Sequence, residues 1–480
     1  MTARPGAAAA ASTVLVLLLA ACSSMAPPYE RPEAPVAAVF PGAGAGTSTY
    51  ASTNANTNAS TATPADQLDW QRFFNDPRLK RLIELALRNN RDLRIAVLNI
   101  EQARATAQAR DADRWPTVNA GLAASRQPIA SGGSSSLYTA GVQVTAYELD
   151  LFQRLRTLSD VAAAQVLASL EARKAVQISL VAAVATAHLS LTADDEQLRV
   201  TQQALVTRQD SLKLVQLRVD NGASSDVDLR QAESLFESAR VALAQATRQR
   251  ALDENALVLL LGQALPLELP PALPIAQAAG LPELPVGLPS ELLTRRPDVR
   301  QAEQQLIAAN ANIGAARAAF FPRITLTGSL GQASSDLAGL FKTGHFAWSL
   351  ASQLLAPIFD AGRNQANLQL ATVSRDIALA QYERAIQSAF REVADALAGR
   401  ATLGEQLAAQ QRLVRAENGR NDLADLRYRN GAASYLEVLD AQRSLLAAQQ
   451  GLVQVQTLVA QNLTGLYRVL GGGWSAADGG

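Results

Sequence analysis

The side chains best suited to chemistry in this 480-residue chain are few and scattered. Its two histidines, His188 and His345, have no carboxylate or cysteine partner at ligand spacing. His188 is placed on a helix face and His345 in a loop near a strand. The one tight acidic cluster is Asp194, Asp195 and Glu196, whose consecutive members point to different sides of a helix and make a poor metal cage. No phosphate-binding glycine loop or nucleophile motif is present. These residues predict no enzyme, no metal and no cofactor. Lysine plus arginine number 43, as do aspartate plus glutamate. Without a basic excess to neutralise phosphates, nucleic acid is not an expected partner. Cys22 is the single cysteine, which rules out an intrachain disulfide. A further group of charges lies at Glu437, Asp440 and Arg443. Spacings of three and four put Leu436, Asp440 and Arg443 on one helix face, which by default is a solvated surface.

The N-terminus reads as an export signal over residues 1–21, with Arg4 followed by a largely apolar run from Ala7 to Ala20 that is too short for a stable span. Leu19-Ala20-Ala21-Cys22 resembles the lipobox of bacterial lipoproteins. That resemblance implies a lipid on Cys22 and, with Ser23 next to it, sorting to the outer membrane. Residues 22–66 are rich in alanine, proline, threonine, asparagine and glycine and predict a flexible tether. No later window reads as a charge-free apolar run long enough to span a bilayer, so any crossing must use strands.

The rest of the chain is duplicated. Leu217-Arg218-Val219-Asp220-Asn221-Gly222-Ala223-Ser224-Ser225 matches Leu426-Arg427-Tyr428-Arg429-Asn430-Gly431-Ala432-Ala433-Ser434. Upstream, Asp92-Leu93-Arg94 aligns with Asp298-Val299-Arg300, Trp115-Pro116 with Phe321-Pro322, and Asp150 with Asp360. The repeats occupy 67–265 and 291–472, joined by a proline-rich linker at 266–290 and followed by a tail at 473–480.

Each repeat predicts the same order of parts. A helix comes first. Two segments of period-two alternation follow, around Thr117–Ser125 and Leu137–Tyr147, then around Ile324–Leu330 and Phe346–Leu354. The period then becomes helical for a long way, with Leu198, Leu205 and Leu212 seven apart and Leu445, Leu452, Val459 and Leu466 likewise. About 65 residues at 1.5 Å each would span on the order of 100 Å. Asn221-Gly222 and Asn430-Gly431 tolerate positive φ, so each long helix reverses there into a hairpin.

The four alternating segments carry no charge in a chain that is 18% charged, and the aromatics Trp115, Tyr138, Tyr147, Phe320, Phe321, Phe346 and Trp348 cluster beside them. Each is roughly 10 residues, the length of a tilted membrane strand, and the aromatics suit its two interfaces. A sheet in lipid must close, and the smallest usual barrel needs about eight strands. One chain offers four, so closure needs two or three copies.

Trp70, Phe73-Phe74, Asp76-Pro77 and Leu79 form a W-x-x-F-F-x-D-P-x-L opening, and residues 295–303 read R-R-P-D-V-R-Q-A-E. Tyr428, Gly431, Ser434, Leu436 and Val438 to Gln442 complete a second-tip pattern. With the lipobox and the order of parts, these motifs resemble the TolC/OprM (NodT-type) outer-membrane efflux channel lipoprotein family over about residues 66–472. The resemblance implies a mainly α protein with membrane β, a homotrimer whose twelve strands form one barrel above a periplasmic α-helical barrel. It implies an adaptor docking at Gly222, Ala223, Ser224, Ser225, Gly431, Ala432 and Ser434, an inner-membrane pump, and contact with outer-membrane lipid. It also implies a periplasmic gate of Asp228, Tyr428, Leu436, Glu437, Asp440 and Arg443, with three copies of Asp440 as an acidic constriction. Some family members carry a basic residue where this chain has Ala433, which shifts weight onto Asp440 and Arg443. A type I secretion duct shares the fold. A pore-free coiled-coil scaffold lipoprotein would explain the helices but not the strands.

Overall fold

A computed structural model describes residues 24–40, 68–130, 132–278 and 295–474. Cys22, Ser23, the Thr47–Thr63 tract and Pro282, Pro285 and Pro289 lie outside the described residues. The elements in chain order are α1 (Trp70–Phe73), α2 (Pro77–Asn89), α3 (Arg91–Ala112), β1 (Val118–Pro128), β2 (Ser134–Leu149), α4 (Arg154–Asp220), α5 (Asp226–Leu261), α6 (Ile275–Ala278), α7 (Pro297–Ala318), β3 (Arg323–Ser334), β4 (Phe346–Leu355), α8 (Arg363–Arg429) and α9 (Tyr435–Val469). Helix, two strands and a long helical hairpin therefore occur twice.

Two compact units divide the chain. The first takes Leu98–Leu170, Arg300–Arg384 and the N-terminal residues to Glu33. It holds one antiparallel sheet in the order β1-β2-β3-β4. β1 pairs with β2 from Val118↔Val144 to Pro128↔Ser134, and β3 with β4 from Arg323↔Leu355 to Gln332↔Phe346. β2 and β3 join the two repeats, with Gly141 opposite Gly331. A Cβ on Gly331 would come within 2.1 Å of the Ala140 carbonyl oxygen, so only glycine allows this approach. A bulge follows Val144, where Ala146 has φ of 52°. The strands run longer than their alternation suggested and take in Arg126, Glu148 and Arg323 near their ends. Glu148 accepts two hydrogen bonds from Arg154, at 2.9 and 2.7 Å. Apolar side chains on the edge strands, among them Leu122, Trp348, Leu350 and Leu354, are exposed.

The duplicated acids Asp150 and Asp360 turn strand into helix. Asp150 accepts the amides of Leu155 and Arg156, and Asp360 those of Gly362 and Asn364. α4 and α8 are each 67 residues long. α4 also corrects one expectation, since it contains an 18-residue window of mean hydropathy 1.5, apolar enough to cross a bilayer by composition. That window is 61% buried in protein, as a core helix is.

The second unit takes Ala34–Val97, Glu171–Val299 and Ala385–Gly480. Its opening motif is core: Phe73 stacks on Tyr467 at 4.0 Å, Phe74 meets the same ring edge-on, and all three are nearly fully buried. The single helix expected here is two. Asn90 ends α2 and caps α3 by accepting the Leu93 amide at 2.9 Å, while its Nδ2 donates to the Leu260 carbonyl. The start of the proline-rich join is anchored through Ile275, which packs with Leu189 and Ala460.

The expected loose tether from 22 to 66 is corrected over 24–40. Within the first unit, Arg31 forms an ion pair with Glu303, and Asn310 donates to the Pro27 carbonyl. Within the second, Phe40 stacks on Phe390 at 4.9 Å. Composition signalled loose chain because it does not register specific long-range partners, and the prolines limit the entropy lost on docking.

Candidate channel mouth and docking tips

The two hairpin tips use one backbone solution. At the first, Gly222 (φ 68°) donates to the Val219 carbonyl and Ala223 to that of Arg218. At the second, Gly431 (φ 71°) donates to Tyr428 and Ala432 to Arg427. Asn221 and Asn430 each bond back to the carbonyl four residues earlier, closing the ends of α4 and α8. Gly222, Ala223, Ser225, Gly431, Ala432 and Ser434 are exposed, and Ser224 partly so.

The side chains after the glycines differ. Ser225 and Asp228 form a capping box, and the Asp228 carboxylate also accepts the hydroxyls of Ser224 and Ser225, each at 2.9 Å. Slight burial raises the Asp228 pKa, but those hydroxyls and the Ser225 amide outweigh it and hold the carboxyl below its usual range. Ser434 stands at the same position before α9 and makes no side-chain cap. Glu437, equivalent to Asp228 in the repeat, instead reaches back across the hairpin to Arg427 at 3.2 Å. Arg427 also donates to the Ala432 carbonyl.

Behind the tips the two hairpins share a core of Val215, Leu229, Ala232, Ala424, Tyr428, Tyr435, Val438, Leu439 and Ala441. Tyr428 lies against Tyr435 with ring centres 5.2 Å apart, and the Arg218 guanidinium covers it at 4.6 Å. Leu436 is 57% exposed on the opposite face of α9. Asp440, half-exposed, pairs with Arg420 of α8, which also bonds Glu417 and Ser444 at 3.3 Å. Arg443 is exposed and makes no ion pair among the described residues. Its charge bears on Arg208, a buried guanidinium held by the Leu235 carbonyl and Ser238, both at 3.1 Å. Burial and then Arg443 push the Arg208 pKa down.

The sequence profile described as "outer membrane efflux protein" matches twice, at residues 82–263 and 288–472. The chain belongs to the outer membrane efflux protein family. It is 46% identical over 462 residues to the solvent efflux pump outer membrane protein SrpC of Pseudomonas putida, covering 95% of this chain and 96% of that one. The toluene efflux pump outer membrane protein TtgI of the same species matches with the same figures. The open-state crystal structure of the MtrE outer membrane channel of Neisseria gonorrhoeae superposes with a TM-score of 0.84 at 40% identity, covering 94% of this chain and 98% of that one.

In this efflux protein the residues expected at the gate lie at one end of the hairpins. Asp440 is partnered by Arg420, not by Arg443, and no hydrogen bond joins Tyr428 to Asp228 among the described residues. Arg420 and Arg427 were missed by reading α9 alone. A usable signal existed: counted from Gly431, Arg420 is eleven residues before and Asp440 nine after, near one level of an antiparallel hairpin.

His188 also departs from expectation. It is buried in α4 and hydrogen-bonds Asp76 through Nε2 at 2.8 Å. Burial raises the Asp76 pKa, but the His188 hydrogen bond and charge, with the Arg78 and Leu79 amides, lower it overall. The histidine and the aspartate are 112 residues apart, so local spacing had no means of finding the pair. The acidic cluster divides as well: Asp195 pairs with Arg250 at 2.6 Å, and Glu196 with Arg199 at 2.7 Å. Asp194 meets Asp253, and its carboxyl is pushed up to about 7 by burial and by sharing a hydrogen bond with that second acid.

Proposed function

We propose that this outer-membrane efflux channel works as a homotrimer, a passive exit duct coupled by a periplasmic adaptor to an energised inner-membrane pump. The observation that carries the reading is a four-stranded sheet whose two edge strands, β1 and β4, have no further partner among the described residues and expose apolar side chains. In lipid those edges must pair, and three copies close a barrel of twelve strands, within the usual size range. The lipid on Cys22 anchors each chain in the same membrane. No catalytic chemistry is required of the duct. The names of the relatives SrpC and TtgI point to solvents such as toluene as cargo.

The glycine tips and their small neighbours Ala223, Ser224, Ser225, Ala432 and Ser434 let an adaptor helix approach closely. Asp440 and Arg420, Glu437 and Arg427, with Leu436, Arg443, Tyr428 and Asp228 beside them, form the periplasmic gate. The cross-hairpin ion pairs hold α8 and α9 together at the mouth, and three copies of the outward Leu436–Asp440–Arg443 face narrow it. Purified protein added to planar bilayers tests the duct: discrete conductance steps are expected. Protein that is folded and membrane-associated yet silent at every voltage would favour the scaffold reading.

A further inference from the structure

Arg208 of α4 is a buried guanidinium with too few partners. The residue is only 7% exposed, and Nη1 donates to the Leu235 carbonyl and to Ser238 Oγ of α5, each at 3.1 Å. A guanidinium has five N–H groups, so the one on Nε and the two on Nη2 remain. None of them finds an acceptor among the described residues. Nor are Nε and Nη2 among the polar atoms sealed from solvent. Together they form an open edge on a buried side chain.

Elsewhere in this protein the same edge holds a carboxylate. Arg154 grips Glu148 through Nε at 2.9 Å and Nη2 at 2.7 Å, and Arg199 grips Glu196 at the same distances. Arg296 grips Asp298 likewise, at 3.0 and 2.6 Å. Two parallel N–H donors match the two oxygens of a carboxylate in spacing and plane. The acids that flank the Arg208 neighbourhood in sequence are engaged elsewhere: Asp210 with Lys213, Glu233 with Arg230, Glu237 with Arg240 and Asp440 with Arg420. A second cation adds to the imbalance. Gln442 of α9 donates to Ser211 Oγ at 3.4 Å, one turn along α4 from Arg208. The next residue, Arg443, is exposed and makes no ion pair among the described residues. Its charge, after burial, lowers the Arg208 pKa. Two cations without an anion, one of them buried, are a standing electrostatic cost that a bound anion relieves.

We infer that the Nε–Nη2 edge of Arg208, with Arg443 beside it, is a binding site for a small soluble carboxylate between α4, α5 and α9. Shape selects that class. The edge offers two coplanar donors, which a flat two-oxygen anion satisfies and a spherical halide does not. The slight exposure of Arg208 admits a carboxylate on a small substituent and not a protein surface. Once bound, the anion links α4 to α9 through the two arginines and braces the hairpins behind their tips. The site stands apart from the duct reading, because binding requires no conduction.

The test titrates full-length protein, purified in detergent, with acetate at constant ionic strength, chloride being the balancing anion. Bound acetate is read by saturation-transfer NMR. Saturable binding is expected, competed by formate and not by chloride. Arg208→Gln removes the fork with its charge, and Arg208→Lys keeps the charge without the fork; each should weaken binding about tenfold or more. Arg443→Gln alters only an exposed side chain and should weaken binding about threefold. Circular dichroism checks that each variant keeps its helices. Absence of saturable binding to wild type would overturn the site, whether water or a side chain of a second copy fills the edge instead. Wild-type affinity in folded Arg208→Lys would overturn the fork, and competition by chloride at equal concentration would overturn the carboxylate class. If only Arg443→Gln folds, unchanged affinity in that variant overturns the proposal as well.

Discussion

Arg420 and Asp440 make an exposed ion pair across a helical hairpin, and such pairs contribute little in isolation. Their consequence depends on position. At the threefold mouth proposed for this channel, each loss would be repeated three times and would shift a closed-to-open equilibrium directly. Asp440→Ala or Arg420→Ala should raise the open probability of reconstituted channels several-fold and sensitise cells to bulky antibiotics, whereas a solvated-surface pair would leave both at wild-type values. Asp194 provides a pH prediction. Its folded pKa, about 7, lies above that of the unfolded chain, so its contribution to stability is complete at acid pH and is lost as pH rises through 7. Wild type should lose thermal stability relative to Asp194→Asn as pH rises from about 4 to about 7, and parallel pH profiles would remove the carboxyl pair from the account. Asp76 has the opposite sign: its depressed pKa stabilises above about 4 and the benefit fades in stronger acid. Replacing its partner by His188→Leu leaves a buried acceptor short of a bond and should cost about 1–3 kcal/mol, read as a lowered Tm. Of these three partnerships only Arg420 with Asp440 is legible from spacing, by counting out from Gly431 across the tip; Asp194 with Asp253 and Asp76 with His188 are not. The acids and bases were visible, but each partner sits on another element, from 20 residues away for Arg420 to 112 for Asp76.

At the scale of elements, the patterns that survived were those dictated by local chemistry. Alternation marked the strands, and Asn-Gly marked both tips because positive φ is needed there. The break at Asn90 was not legible, since Leu93 and its neighbours continue the helical periodicity while the asparagine side chain ends one helix and caps the next. Nor was the docking of residues 24–40, whose composition alone suggested free chain. Equally hidden was the asymmetry of the tips. Ser225 caps α5 and Ser434 does not cap α9, although they are equivalent in the repeat. Ser225→Ala should therefore cost about 1 kcal/mol and speed hydrogen exchange in the first turn of α5. Ser434→Ala should fall within about 0.5 kcal/mol of wild type. Equal losses at the two serines would contradict the assignment of Glu437 to Arg427 in place of a cap.

On the scale of the whole molecule, the duplication explains why a sheet of four strands and two long hairpins come from one repeated unit, and why that unit is incomplete. Among the described residues a single chain leaves β1 and β4 without a further partner and exposes Leu122, Trp348, Leu350 and Leu354, an apolar edge that soluble monomers rarely carry. The closure argument alone admits two or three copies, and three is the number proposed for this channel. The mass of the conducting particle decides it. Native mass spectrometry of protein extracted from outer membranes, on the same preparation that opens channels in planar bilayers, should give three times the mass of the mature chain. A particle of one or two chains that conducts would contradict the trimeric duct at its foundation.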